Sequence, residues 1–483
     1  MMQLPSDRRA LVAVDLGAES CRVSLLRWVE EKAAIMLVHR FANAPRMVDG
    51  GLRWDIAMIE AGLDDGLRRC AAIAVEGVRS IAVDGWAVDY VRLDEAGRAF
   101  ADPFCYRDER TVEAERLLHE RIDAGRLREL TGVQLLRINT LYQLYADRLQ
   151  RIPQGRWVNL PEYILSRLGG ARVAEYTNAT HTQMIDLHNR EWSSEIFDAA
   201  QLEVANAAEV VPPGSIVGRL SGPLTELAAY RGTELIAPAC HDTASAIAGI
   251  PEAGDDWAYI SSGTWSLVGA LSEEPQNGPM VAAENFTNLG AVGGRICFHK
   301  NVNGMWLIRQ CIDAWAATGR VWAAPELVAA AEAIEKPDGL IDVDEADLLL
   351  AGKMPQRINA QRVRKGFEPL DEDAGNAPAF ASLIFRSLAA RYAEVLDRVA
   401  FHTGKKLKRV VVVGGGSRNK FLNQLTQDAT GLKVVPGAME SSTVGNFALQ
   451  LAVLEGSRDA VMGACATEVS RWAAVLVEAM EGN

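Results

Sequence analysis

The sequence predicts an α/β protein of two domains, residues 1–248 and 249–483, and three observations carry that reading. At 483 residues and 49% hydrophobic, the chain can bury large cores and is too long for one. Strand signals are mixed with apolar-periodic helices in its N-terminal part. One pattern also occurs twice, half a chain apart: an apolar strand, a turn of small or polar residues with a glycine, and a second apolar strand.

The first copy is Leu11-Val-Ala-Val-Asp15-Leu-Gly17-Ala-Glu-Ser-Cys21-Arg-Val-Ser-Leu25, with strands expected at 11–15 and 21–27. An apolar-periodic helix follows near 55–77, and Ser80-Ile-Ala-Val-Asp84-Gly-Trp86-Ala-Val-Asp-Tyr90-Val-Arg-Leu93 reads as another pair of strands around a polar turn. Residues 109–210 read as a mostly helical and irregular insertion, suited to shaping a substrate cleft. After Cys240-His-Asp242-Thr-Ala-Ser-Ala, the run Pro251-Glu-Ala-Gly-Asp-Asp256 breaks the pattern and marks the domain boundary. The second copy, Ala258-Tyr-Ile-Ser261-Ser-Gly263-Thr264-Trp-Ser-Leu-Val268, then opens the second half as the first opened the chain. A long helix is expected from about Ala379 to His402, with Phe380, Leu383, Ile384, Leu388 and Tyr392 on one apolar stripe and Gly404 at its end. Arg409-Val-Val-Val-Val413-Gly414-Gly-Gly416 reads as a buried strand and a triple-glycine turn before a further helix.

Composition excludes several classes. Fifty Lys and Arg against 63 Asp and Glu give a net charge of -13, which argues against a nucleic-acid partner and against an anionic membrane surface. The seven cysteines are odd in number and form no Cys-x-x-Cys pair, so reduced thiols in a cytoplasmic protein are expected. The first residues lack an apolar signal core, and no run approaches the ~18 residues of a membrane span.

Glycine turns let a backbone approach a ligand, and their amides and hydroxyls suit phosphate oxygens, so two such turns can hold a polyphosphate. Two unrelated β-hairpins would look the same locally. The triple glycine lacks the Gly-Lys-Ser/Thr of a Walker loop, and Asn419 stands where Gly-x-Gly-x-x-Gly needs its third glycine. It reads either as tight strand–helix packing or as a nucleotide site. Asp242, between His241 and Thr243 at the end of the first half, is the candidate general base on a substrate hydroxyl, and it also fits a helix N-cap. His181 and His188 show no zinc spacing. Asp108 and Arg110 read as substrate-hydroxyl ligands or as a solvated helix start, and no Gly-x-Ser-x-Gly elbow supports a serine hydrolase.

Taken in order, Asp15-Leu-Gly17, Asp84-Gly-Trp86, His241-Asp242-Thr243, Ser261-Ser-Gly-Thr264-Trp and Val413-Gly-Gly-Gly resemble the FGGY carbohydrate kinases of the actin-like ATPase fold. Tyr106-Arg-Asp, Asn139-Thr-Leu-Tyr-Gln143, Lys300-Asn301, Gly304-x-Trp306 and Glu440-Ser-Ser-Thr-Val-Gly445-Asn support the resemblance, which runs from about residue 11 to 455. Glu175-Tyr-Thr-Asn-Ala-Thr180 together with His241-Asp-Thr-Ala-Ser-Ala is similar to the branch that acts on L-rhamnulose.

The resemblance implies two actin-like, ribonuclease H-like α/β domains around a central cleft, the first binding sugar and the second nucleotide. It implies an ATP- and Mg2+-dependent kinase in which Asp242 is the base and His241, Thr243, Asn301 and Ala87 contact the sugar. Ala18, Glu19, Ser20, Cys21 and Arg22 in one loop and Thr264 in the other match phosphate-facing positions. Gly415 and Arg309 match the nucleotide side, and Asp15 matches a magnesium-associated aspartate acting through water. The expected partners are a small-molecule ketose and ATP, in a cytoplasmic monomer or homodimer with neither nucleic acid nor membrane. L-Rhamnulose is the expected substrate, with L-fuculose, a pentulose, or a catalytically weak sugar- and nucleotide-binding sensor as alternatives.

The chain departs from the family pattern at four places. Glu19-Ser20-Cys21 replaces the usual Ser-Ser-Gly, Gly85 replaces threonine, Ala87 replaces glycine, and Arg309 replaces a glutamine. Changes of a methyl group or two in a sugar pocket shift preference by roughly 1–3 kcal/mol each.

Overall fold

The computed structural model describes residues 4–456, 458, 459 and 463–481. The chain divides into two compact units. The first holds the chain up to Ala253, Leu271–Cys297 and the part from Ser441 on, and the second holds Gly254–Ala270 and Phe298–Glu440.

In the first unit, strands β1 (Ala10–Leu16), β2 (Ser20–Val29), β3 (Lys32–Ala42), β4 (Val78–Gly85), β5 (Ser215–Arg219) and β6 (Glu234–Ala237) form one sheet in the order β5-β6-β4-β1-β2-β3. β1 runs antiparallel to β2 and parallel to β4, and β4 runs parallel to β6. Every residue of β1 is buried, as a strand covered on both faces requires, whereas the edge strand β3 is largely exposed. Helix Ile56–Ile73 covers the sheet with Ile59, Leu63, Leu67 and Cys70, and its start is capped by Asp55, which accepts from the amide of Met58.

The second unit contains β7 (Trp257–Ser262), β8 (Trp265–Ser272), β9 (Ile296–Asn303), β10 (Arg409–Val413) and β11 (Lys433–Pro436), in the order β9-β8-β7-β10-β11. β7 is antiparallel to β8 and parallel to β10, and β10 is parallel to β11. This order repeats β3-β2-β1-β4-β6 strand for strand. The two hairpins read from the sequence therefore head two sheets of the same α/β topology. The long helix spans Ala377–Thr403 with the expected stripe buried, and Gly404 ends it at φ 67°.

One expected hairpin is absent. β4 already has β1 and β6 on its two edges, so the chain after Trp86 cannot fold back onto it. Tyr90–Arg92 pairs instead with Trp157–Asn159, antiparallel. The insertion at 109–210 is helical as expected, from Thr111–Leu118 to Ser194–Ala200, with only short strands. Six of the seven cysteines are buried and Cys465 is exposed. Among the described residues, no helix is long and apolar enough to cross a membrane.

Candidate active site

The same tripeptide, Ala-Val-Asp, closes β1 and β4, and their parallel register sets Asp15 beside Asp84. The next residue, Gly85, donates its amide to the Cys240 carbonyl at 2.9 Å and bridges to His241. Asp15, Asp84 and Asp242 thus lie at the carboxyl ends of neighbouring parallel strands, the edge where open α/β sheets bind ligands. They differ in access. The Asp15 side chain is 6% exposed and Asp84 is 0% exposed, whereas the Asp242 side chain is 36% exposed. Of the three, only Asp242 is open enough to take a proton from a bound substrate.

Their charges interact. Desolvation and then the Asp15 charge push the Asp242 carboxyl up to about 7, against the hydrogen bonds it accepts from Thr243. The same two causes, in the same order, raise Asp84 well above the usual carboxylate range. Asp15 is held by Ser442, whose hydroxyl donates to Oδ2 at 2.8 Å, and by Arg22 at 3.3 Å on the same oxygen. Asn446 donates to Asp84 Oδ2 at 2.5 Å. Gln450 in turn donates to Asn446 at 2.8 Å and to the Val12 carbonyl at 3.1 Å, and accepts from Ser80 at 2.6 Å. Residues 442, 446 and 450 are one turn apart on helix Ser441–Glu455, so a single face of that helix serves both aspartates.

Asp242 is the first residue of helix Asp242–Ala248 and His241 occupies the N-cap position, so the capping alternative falls away. The Thr243 hydroxyl donates to Asp242 Oδ1 at 3.2 Å, and His241 Nε2 lies 3.3 Å from the same oxygen. Nearby, Ala87 is buried and Val88 sits at φ 70°, a costly backbone state for a β-branched residue. Its carbonyl is pinned by the Thr140 hydroxyl at 2.7 Å and the Gln143 amide at 3.1 Å, which accounts for the Asn139–Gln143 segment. A side chain at Gly85 would meet Leu16 Cβ at 2.7 Å and the Leu16 carbonyl at 2.9 Å, so the neighbouring strand has taken the space of the usual threonine.

The first turn is less altered than its sequence suggests. Burial, and then the Asp15 charge, push the Cys21 thiol up to about 12, so it stays neutral. Glu19 is exposed, Ala18 is half-buried, and Ser20 accepts from Arg40 at 3.1 Å.

In the second unit, the Gly263-Thr264 turn is exposed. Its carbonyls accept from the Met305 and Trp306 amides at 3.0 and 3.1 Å. A side chain at Gly304 would approach the Gly263 carbonyl at 2.8 Å, which explains the glycine two residues before Trp306. Asn301 lies in β9, and Arg309 is exposed and paired with Asp313 at 3.1 Å on the helix that follows. Two positions of the triple glycine fit the packing reading. Gly414 sits at φ 81° and a side chain there would stand 2.8 Å from the Ser262 carbonyl, and a side chain at Gly416 would collide with Ser262, so these two permit packing. Gly415 is exposed, a side chain there would meet nothing within 4 Å, and it is the one a ligand can approach.

Asp84, Ser442, Asn446 and His181 join the first-unit cluster without having been given roles from the sequence. The repeated Ala-Val-Asp was the signal for Asp84, and the i, i+4 spacing of Ser442 and Asn446 was the signal for that helix face. Asp108 and Arg110 are structural: Asp108 accepts the Leu52 amide at 2.6 Å, and the Arg110 side chain is buried against Asp147 at 2.5 Å.

Comparison with known proteins gives the chain its relatives. The model of the FGGY family of carbohydrate kinases, N-terminal domain, matches residues 10–249, and that of the C-terminal domain matches residues 258–454. The chain is 34% identical over 444 residues to the rhamnulokinase of Bacteroides thetaiotaomicron, covering 91% of this chain and 89% of that one. Among solved structures, it resembles a ligand-bound xylulose kinase from Lactobacillus acidophilus, with a TM-score of 0.75 at 14% identity over 98% of this chain and 97% of the other. A Plasmodium falciparum glycerol kinase with ADP gives a TM-score of 0.71 at 14% identity, over 94% of each chain. At these identities the two structures speak to the fold alone.

Proposed function

The chain belongs to the FGGY family of carbohydrate kinases, and from that membership we propose that it transfers a phosphoryl group from ATP to the terminal hydroxyl of L-rhamnulose, giving L-rhamnulose 1-phosphate. The observation that carries the choice of sugar is the similarity to a rhamnulokinase over nine-tenths of the chain. Asp242 supports the chemistry: it is the accessible carboxylate of the cluster, with an affinity for protons suited to a base near neutral pH. On this reading residues 1–248 carry the base and most of the sugar contacts, and 249–483 contribute Thr264, Arg309 and Gly415 to the nucleotide side.

Asp242 accepts the hydroxyl proton while His241, Thr243, Ala87 and Asn301 orient the sugar. The turn Ala18–Arg22, Thr264, Arg309 and Gly415 hold the nucleotide. Bound ATP with Mg2+ supplies the phosphoryl group and neutralises charge on it. Among the described residues, no cluster of three or more His, Cys, Asp or Glu side chains is suited to grip a metal ion. Asp15, anchored by Arg22 and Ser442, would meet the cation through water.

Coupled ADP-release assays with Mg-ATP across L-rhamnulose, L-fuculose, L-xylulose, D-xylulose, L-ribulose and glycerol are expected to show the highest kcat/KM for L-rhamnulose. A clear preference for another ketose, for which Gly85 and Ala87 would be the reason, overturns the substrate. Silence on all of them favours the sensor. The base assignment carries a pH dependence of definite sign. Asp242 must be ionised to act and its carboxyl is pushed up to about 7, so kcat/KM for the ketose is expected to fall as pH drops through that value. An acid limb down at about 4, the ordinary carboxylate range, would count against Asp242.

A further inference from the structure

The segment Glu175-Tyr-Thr-Asn-Ala-Thr180-His181 has no part in the chemistry above, yet its side chains converge on the residues that carry Asp242. Glu175 is buried, and its carboxylate accepts from the Cys240 amide at 2.8 Å and from the Thr177 hydroxyl at 2.6 Å. Thr177 Oγ1 in turn accepts from the His241 amide at 3.4 Å. The backbone on either side of the Cys240–His241 peptide is thereby clamped to this segment.

The far end of the segment reaches the His241 ring itself. His181 Nε2 lies 3.0 Å from His241 Nδ1, and the two rings meet at a centroid distance of 3.9 Å with a tilt of 55°. On its other side His241 presents Nε2 to Asp242 Oδ1 at 3.3 Å. A neutral imidazole carries one N–H and one bare nitrogen. A bare Nε2 would turn its lone pair on a carboxylate oxygen, so the hydrogen belongs on Nε2 and Nδ1 is left as the acceptor. The atom that meets this acceptor is His181 Nε2.

We propose that His181 is a positioning residue for phosphoryl transfer: by giving its Nε2 hydrogen to His241 Nδ1 and packing against that ring, it fixes the tautomer and tilt of His241, and through them the aim of the Asp242 carboxylate at the sugar hydroxyl. The inference rests on the reading of Asp242 as the base. It gives the polar segment before it a purpose within the site: Glu175 and Thr177 fix the backbone that bears His241, and His181 fixes the ring.

The test compares His181→Ala, His181→Phe and His181→Gln with the wild-type enzyme in steady-state assays on the preferred ketose, and in nitrogen spectra of histidine-labelled protein, where His241 is one of seven histidines. Ala and Phe are expected to lower kcat about tenfold or more with KM for ATP within about twofold, because a misaimed base slows the chemical step and leaves nucleotide binding alone. Gln restores an N–H and is expected to recover most of the loss. In His181→Ala the His241 signals move from a single Nε2-protonated tautomer to a mixture. A His181→Ala enzyme within about twofold of wild-type kcat overturns the proposal, as does a Phe variant as active as the Gln variant, which would leave packing alone. A wild-type protein silent on every ketose overturns the functional reading of Asp242 instead. In that case an unchanged His241 tautomer in His181→Ala overturns the contact independently of activity.

Discussion

Asp242→Asn is expected to lower kcat roughly 100- to 10,000-fold while the ketose still binds, because the amide keeps the shape of the side chain and loses only the capacity to take a proton. The Thr243 hydroxyl can still donate to the oxygen of the amide, so helix Asp242–Ala248 keeps its local hydrogen bond. The substitution has a second consequence, of opposite sign. The Asp242 carboxyl is raised in the folded protein, so the stability it contributes is present below the unfolded-state value and is lost as pH rises through about 7. At pH values above that point the ionised side chain sits unfavourably beside Asp15, and the neutral amide removes the cost. Asp242→Asn is therefore expected to melt at a higher temperature than wild type above neutrality, with the gap closing under acidic conditions. Steady-state turnover, calorimetric titration with the ketose, and melting curves at several pH values check the three parts together. Turnover near the wild-type rate would end the base assignment, and a variant less stable than wild type above neutrality would end the electrostatic account of the cluster.

What the sequence made legible follows from how local the signal is. The two hairpins, the helix ending at Gly404 and the strand before the triple glycine each rest on residues close in the chain, and each is present. The supposed hairpin at 80–93 failed for a non-local reason: both edges of β4 are occupied by strands that the local pattern does not announce. The site divides in the same way. Asp242 stands out from its immediate neighbours and Asp15 through the resemblance, whereas Ser442 reaches Asp15 across 427 positions and Asn446 reaches Asp84 across 362, separations no periodicity can bridge. His181 lies seven residues from His188, a spacing that speaks only to metal binding, but its partner is His241, 60 positions away. Asp108 and Arg110 do stand at a helix start, but not a solvated one: the part burial of Asp108 on the Leu52 amide and the burial of the Arg110 side chain against Asp147 are invisible from a stretch that looks charged.

Gly445→Ala is expected to combine a large loss of stability with a loss of activity, and it tests whether the helix carrying Ser442 and Asn446 must lie as close to the helix carrying Asp242 as it does. A Cβ at position 445 would collide with the Ser245 carbonyl and stand 2.8 Å from the Gly249 amide, and a Cβ at Gly249 would likewise strike the Ser441 carbonyl. The two helices therefore cross backbone to backbone, with glycine on each side. Neither obstacle is the flexible end of a side chain, so relief requires the helices to part, at about 3 kcal/mol, the upper part of the usual range for overpacking. Parting them moves Asp242, the first residue of one helix, relative to Asp15 and Asp84, which the other helix holds through Ser442 and Asn446. A displacement of about 1 Å at a catalytic group costs on the order of 100-fold in rate, so kcat is expected to fall even in the fraction that remains folded. Ser442→Ala separates the two effects, since it removes the hydrogen bond to Asp15 without adding an atom at the crossing, and is expected to lower kcat with little change in denaturant midpoint. Urea unfolding and single-turnover rates on both variants give the comparison. If Gly445→Ala unfolded within about 0.5 kcal/mol of wild type, the spread of an ordinary surface substitution, the close crossing would have no part in stability. If its folded fraction also turned over at the wild-type rate, the spacing of the two helices would not set the geometry of the three carboxylates.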